Sequence, residues 1–174
     1  MRIYIVSLNN IHHFFVKLYL NSSLSMEINQ ANLTDIPQLC ILLDVLFSQE
    51  AEFKPNHELQ GRGLSKILNN EGIGVILVAR DSDKVIAMVN ILYTVSTALG
   101  ERVGVFEDFV VLPKYRNDGV GLELLSYALN FAKQKGCKRI TLLTDDDNED
   151  AQRFYLRHGF SRSSMVPFRL SLDN

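Results

Sequence analysis

Val105-Phe-Glu-Asp-Phe-Val-Val-Leu-Pro-Lys-Tyr-Arg116-Asn-Asp-Gly119-Val-Gly121 reads as a buried strand, a glycine turn and the start of a helix. The apolar run suits a central strand covered on both faces, and Pro113 stops it. A helix N-terminus leaves backbone N–H groups without intrahelical partners, and aligned peptide dipoles add partial positive charge there. An anion can dock on such a terminus. Gly119 and Gly121 lack a Cβ, so a diphosphate could come close to the backbone, and Arg116 stands just upstream as a fixed positive charge. Asn117 and Asp118 complete the turn, either as part of this cradle or as ordinary turn formers; Asp118 opposes an anion unless its side chain faces solvent.

Working outward, residues 27–31 read as a strand leading to Thr34 as N-cap, with Pro37 in the first helical turn. Ile36, Leu39, Cys40, Leu43, Leu46 and Phe47 then recur at helical spacing. A polar loop follows, and 59–68 reads as a weaker helix broken by Gly61 and Gly63. Strands are expected over 75–79 and 85–95, joined by an Asp81-Ser-Asp-Lys84 hairpin turn, and over 102–112. The next helix starts near Gly119, turns Leu122, Leu125, Leu129 and Ala132 inward, and closes at Gly136. A strand over 138–144, a helix over 149–158 and final strands from Phe160 and over 166–172 complete the order β-α-α-β-β-β-α-β-α-β-β. Helices on both faces of a mixed sheet is the architecture this order supports.

The 174 residues, 47% of them hydrophobic, suffice for one substantial core and argue for one domain. Net charge is −2 and no lysine and arginine stripe stands out, so a nucleic-acid partner is not expected. Cys40 and Cys137 have neither C-x-x-C spacing nor a small secreted framework, which points to reduced thiols in a cytoplasmic protein. The first 25 residues read as an N-terminal extension, with Met26 the natural start of a domain over 26–174. Asn9, Asn10, His12 and His13 break the apolar run there, so no membrane span is expected. No metal is expected either. His12 and His13 are adjacent rather than spaced for one face, and an EF-hand starting at Asp145 would need glycine where Asp150 stands and glutamate where Leu156 stands.

Asn148-Glu-Asp-Ala-Gln-Arg-Phe154-Tyr155-Leu-Arg-His-Gly159-Phe160 follows about thirty residues after the glycine turn, as a short helix ending at a glycine. Together the two segments resemble the GNAT superfamily of acetyl-CoA-dependent N-acetyltransferases. The resemblance is most specific over 106–160. It implies a mixed, mostly antiparallel α/β (α+β) sheet of six to seven strands with helices on both faces. It also implies acetyl-CoA as cosubstrate and a primary amine as acceptor, on a small molecule or a peptide. Phe109, Val110 and Val111 match the strand that splays at a bulge and offers main-chain groups to the pantetheine arm; their side chains are core. Arg116, Asn117, Asp118, Gly119, Val120 and Gly121 match the diphosphate loop. Relatives often pair through the late strands, so a homodimer is one expected assembly. The loops near 50–70 and 95–102 would shape the acceptor site.

Two side chains are candidates for proton transfer. Glu107 matches an acidic position in relatives that acetylate glucosamine 6-phosphate and is the expected general base; a structural carboxylate is the other reading. Glu107 and Asp108, adjacent in a strand, should point to opposite faces. A free glutamate and an alkylammonium differ by about 6 pKa units, or roughly 8 kcal/mol, so the site must assist any direct transfer. Tyr155 matches the tyrosine that protonates the departing thiolate, uphill by roughly 2 kcal/mol at ordinary values. Helix packing is its alternative role. Asn148 matches a residue that bonds the pantetheine arm or caps the helix. A non-catalytic acyl-CoA sensor is the alternative function.

Overall fold

The computed structural model describes residues 26–49 and 54–172. The expected extension over 1–25, with its paired histidines, lies outside the described residues. β1 (Met26–Gln30), α1 (Ile36–Phe47), α2 (His57–Leu68), β2 (Gly74–Asp81), β3 (Lys84–Ser96), β4 (Glu101–Val111), α3 (Val120–Gln134), β5 (Ile140–Leu142) and α4 (Glu149–Arg157) follow in order, with short 3-10 turns at Leu33–Asp35 and Pro113–Tyr115. The described residues divide into two compact units between Thr141 and Leu142.

One sheet runs in the order β1-β2-β3-β4-β5. The first four strands are antiparallel neighbours. At β5 the sense changes: the Lys138 N–H donates to Arg102 O and the Gly104 N–H to Arg139 O, both at 2.9 Å, so the two chains advance together. α3 supplies the crossover that such a parallel neighbour requires. Gly104 permits the close approach, since a Cβ there would lie 2.7 Å from Ile140 Cδ1.

Five strands among the described residues replace the six to seven expected. Residues 160–172 alternate apolar and polar in places but form no strand, and Met165, Val166, Phe168, Leu170 and Leu172 are exposed. Alternation makes a strand only where a sheet edge receives it, and no pairing reaches this segment.

Leu39, Leu42 and Leu43 of α1 and Leu64 of α2 pack on Ile76, Val78, Met88 and Val110 of the sheet. α3 packs against β2, β3 and β4 and buries Val120, Leu124, Leu125, Ala128 and Ala132. Of the expected stripe, Leu125 and Ala132 are buried and Leu129 is half-buried, but Leu122 is exposed, and Val120, Leu124 and Ala128 complete the buried face. Asn32, rather than Thr34, caps the first turn, in a reciprocal capping box with Asp35. α2 starts two residues early because Asn56 Oδ1 accepts the N–H groups of Glu58 and Leu59, and Gly61 and Gly63 do not break it.

Candidate active site

β4 is bulged. Met88 faces Val110 and Asn90 faces Glu107, so Asp108 and Phe109 together stand opposite Val89. Asp108 adopts φ +50, a left-handed conformation that aspartate tolerates better than bulkier residues. Asn90 Nδ2 donates to Asp108 Oδ2 at 2.5 Å and ties the bulge to β3. Strict alternation, on which Glu107 and Asp108 were expected to face opposite sides, fails at this point. Glu107 is exposed and opposite Asn90, while Asp108 is half-buried and bonded to that same asparagine.

Asp108 and Asn90 line a cavity of about 290 Å3 between the bulge and the α1 and α2 helices. Leu43, Phe47, Leu64 and Ile67 form apolar walls, and Lys54, an exposed side chain, stands among the lining residues. Gln60 is 8% exposed and Asn90 2%. Gln60 Nε2 donates to Asp44 Oδ1 at 3.2 Å, and Asp44 Oδ2 lies 2.6 Å from His57 Nε2. Both amide NH2 groups thus face carboxylates, which fixes which way each amide points. Their carbonyl oxygens, Gln60 Oε1 and Asn90 Oδ1, are buried without a partner among the described residues. Leaving a buried acceptor unsatisfied costs about 1–3 kcal/mol.

β4 leads from the bulge through Val110 and Val111 to the turn before α3. Pairing with the three-residue β5 begins at Arg102 and Gly104, near the opposite end of β4. Arg116 Nε donates to Val111 O at 3.0 Å, which anchors the turn to the strand end. Asn117 and Gly119 have φ +66 and +85. Among the described residues no side chain caps the fifteen-residue α3, and a Cβ on Gly119 would meet nothing within 4 Å. Arg116, Asn117, Asp118 and Gly119 are exposed, Gly121 is half-exposed and Val120 is buried beneath them. Open space above amides that no side chain satisfies fits an anionic diphosphate. Asp118, exposed, does not fill it.

The second unit carries α4. Asn148 Oδ1 accepts the Ala151 N–H at 3.1 Å, so it acts as the helix cap. Tyr155 packs edge-on against Phe154 and Phe160, with ring centroids 5.4 and 5.5 Å away. Burial pushes its phenol up to about 12. It therefore stays protonated across the physiological range, but donation to a thiolate near 8.5 becomes uphill by about 5 kcal/mol rather than 2. Glu149 and Asp150 pair with Arg153, and Asp146 with Arg162, all on the surface. Much of the acidic run is thus absorbed by ion pairs.

A larger hollow of about 460 Å3 lies beside β1 and the start of α1. Two of its charged groups, Asp35 and Arg80, pair with each other. Asp35 Oδ2 accepts from Arg80 Nη2 at 2.7 Å and from the Asn32 N–H at 2.8 Å, and Arg80 Nε donates to Asn29 Oδ1 at 3.2 Å. These bonds tie β1, β2 and α1 together.

Among the described residues, no group of three or more His, Cys, Asp or Glu side chains is placed to hold a metal, and no helix is long and apolar enough to cross a membrane. Cys40 and Cys137 are free thiols. Sequence reasoning missed Asn90, Gln60 and Asp44. Asn90 carried a signal, as the polar interruption in the apolar run from Val85 to Leu92; Gln60 carried none, because only the packing of α2 on α1 brings it to Asp44.

A bulged central strand that runs through a glycine turn into an uncapped helix defines an acyltransferase of the GNAT type. The acetyltransferase (GNAT) family matches residues 38–160, and the chain belongs to that family. That family uses acetyl-CoA as its acetyl donor. The chain is 31% identical over 143 residues to the uncharacterized N-acetyltransferase YhfO of Bacillus subtilis (strain 168), covering 80% of this chain and 92% of the relative. It is 26% identical over 137 residues to the aminoalkylphosphonate N-acetyltransferase of Salmonella typhimurium, covering 79% and 86%. A crystal structure described as "a possible acetyltransferase from Clostridium difficile 630" superposes with a TM-score of 0.77 at 18% identity, over 86% of this chain and 99% of that one, a likeness of fold.

Proposed function

We propose that this protein transfers an acetyl group from acetyl-CoA directly to the primary amine of an acceptor held in the hollow beside Asp108. The observation that carries the proposal is the continuity of the Asp108–Phe109 bulge, the strand end and the uncapped N-terminus of α3. When bound, acetyl-CoA supplies the acetyl group as a thioester. Main-chain amides near Gly119 and Gly121 hold the diphosphate, and Arg116 adds charge from the turn. Main-chain groups of Phe109, Val110 and Val111 align the pantetheine arm, and an N–H near Val110 polarises the acyl carbonyl.

The two adjacent carboxylates divide the work. Asp108, in the hollow, receives the ammonium; Glu107, its exposed neighbour on β4, takes the amine proton through water. Tyr155 gives the proton that the departing sulfur takes up, and Asn148 holds the start of its helix. The high phenol value asks the surroundings of the sulfur to lower the cost of that donation. One N–C bond forms and one C–S bond breaks; the ammonium gives up two protons, the first through Glu107 to free its lone pair for attack and the second as the tetrahedral adduct collapses, while sulfur takes one from Tyr155, so that once Tyr155 is reprotonated one proton has passed to solvent. Thiol release from acetyl-CoA across a panel of primary amines tests the reading: release that depends on the amine supports it, and none with any amine sinks it.

A further inference from the structure

We propose that the Asp118–Gly119 peptide is a self-modification site, where the chain closes to a succinimide and reopens as isoaspartate, and that this change disables the turn before α3 as an acetyl-CoA cradle. The chemistry stands on the turn itself; its effect on binding rests on the acetyl-transfer reading. Asp118 lies inside the cradle without serving it. It is exposed, and among the described residues its carboxylate has no hydrogen bond or ion pair. Asp-Gly occurs once in the sequence and Asn-Gly nowhere.

Ring closure needs a carboxyl free to swing, an unobstructed next residue and an open main-chain nitrogen. Gly119 meets the last two conditions. A Cβ built on it would meet nothing within 4 Å, and among the described residues no acceptor takes its N–H. In a capping box the side chain at the third helical position bonds back to the N-cap N–H; Leu122 stands there and offers no acceptor. Other aspartates are held more firmly. Asp81 accepts from the Tyr115 hydroxyl at 3.2 Å and precedes Ser82, and after Asp147 the Asn148 N–H donates to Asp145 O at 3.1 Å.

The Gly119 nitrogen attacks Asp118 Cγ. An N–Cγ bond forms, a Cγ–O bond breaks, and the oxygen leaves as water with the amide proton and one proton from solvent. Water then opens the ring. At Cγ it restores aspartate; at the main-chain carbonyl of Asp118 it breaks the C–N bond to Gly119 and leaves isoaspartate, whose chain runs on through Cβ and Cγ. No atom is gained or lost overall. The product carries an extra main-chain atom between Asn117 and Gly119, which hold φ +66 and +85. That displaces the Gly119 and Gly121 amides from the strand end, which Arg116 anchors through Val111 O. A bound diphosphate holds the Gly119 N–H, so an occupied cradle resists the change and an empty one ages.

The test incubates the protein near neutral pH at physiological temperature for several weeks, with and without coenzyme A. Isoaspartate is read by chromatography and electron-transfer fragmentation of the tryptic peptide 117–133, in which Asp118 is the only aspartate. It should form there at least several-fold faster than at Asp81 or Asp147. Coenzyme A at roughly ten times its Kd leaves about a tenth of the sites empty, so the rate at Asp118 should fall about tenfold. The isoaspartate form, separated from fresh protein, should bind acetyl-CoA roughly tenfold more weakly or worse, with its circular dichroism unchanged. Asp118→Glu, which would need a six-membered ring, should gain no isomer at this peptide and keep through ageing whatever acetyl-CoA affinity it has when fresh. Isomerisation at Asp118 no faster than at Asp81, coenzyme A that binds without slowing it, or an isoaspartate form that binds acetyl-CoA as fresh protein does would overturn the inference and leave acetyl transfer standing. Isomerisation at Asp118 in a protein that binds neither acetyl-CoA nor coenzyme A when fresh would instead overturn the transfer reading and leave only the modification site.

Discussion

Asn90 and Asp108 meet across the β3–β4 bulge, Nδ2 donating to Oδ2 at 2.5 Å. The bond holds Asp108 at φ +50 beside the hollow and leaves the Asn90 carbonyl oxygen buried with no hydrogen-bond partner among the described residues. One interaction therefore shapes the strand and places a carboxylate.

Asp108→Asn keeps the shape and can still accept from Asn90, but loses the charge. Hydrogen bonds to charged groups contribute about 1.5–3 kcal/mol, so the KM for an amine should rise roughly 10- to 100-fold while acetyl-CoA affinity holds. Steady-state kinetics with calorimetry checks it; an unchanged KM would remove Asp108 from ammonium recognition.

Glu107→Gln should behave differently. Loss of a general base costs on the order of 100-fold in kcat/KM near pH 7, and the deficit should shrink as pH approaches about 10, where solution supplies free amine. A deficit constant with pH would mean that Glu107 has a structural task.

Burial raises the Tyr155 phenol to about 12. Its neutral form is favoured in the folded protein, so this group adds stability below about pH 10, the ordinary phenol value, and that contribution fades as pH climbs toward 12. No alkaline loss of rate below about pH 11 should trace to Tyr155. Tyr155→Phe should cut kcat by roughly 100-fold, the lower end for acid catalysis, and spare acetyl-CoA binding. Full activity in that variant would reduce Tyr155 to packing between Phe154 and Phe160.

Asp35 is buried, which by itself would raise its carboxyl. Hydrogen bonds from Arg80 and the Asn32 N–H, with the Arg80 charge, outweigh burial and hold it below its ordinary value. A depressed folded value stabilises the fold above the unfolded pKa near 4, and the gain is lost as pH falls through the folded one. Asp35→Asn should cost about 3 kcal/mol at neutral pH, since it leaves Arg80 partly buried without its ion pair. The gap to wild type, read from urea melts, should narrow below about pH 4.

The glycine turn, the strand before it and the helix after it were legible because each rests on local chemistry: Pro113 ends a strand, Gly119 opens a helix, and Asp81 to Lys84 turn a hairpin. Of the α3 stripe, Leu125 and Ala132 were legible and Leu122 was not, because Leu122 and Leu124 are the same residue type and only the sheet decides which is covered. Residues 166–172 carry strand-like chemistry without a partner edge. The bulge was anticipated near Phe109 but not its consequence for Asp108, because alternation is a rule for unbroken strands. Gln60 and Asp44, sixteen residues apart on two helices, meet only through tertiary packing.

Backbone amide NMR during an acetyl-CoA titration tests the central claim most directly. The account predicts the largest shifts at Val110, Val111, Asn117, Gly119, Val120 and Gly121, with a Gly119→Ala variant, strained at φ +85 by about 1–2 kcal/mol, binding more weakly. Saturable binding that leaves those amides unmoved, or no binding at high micromolar acetyl-CoA, would contradict it.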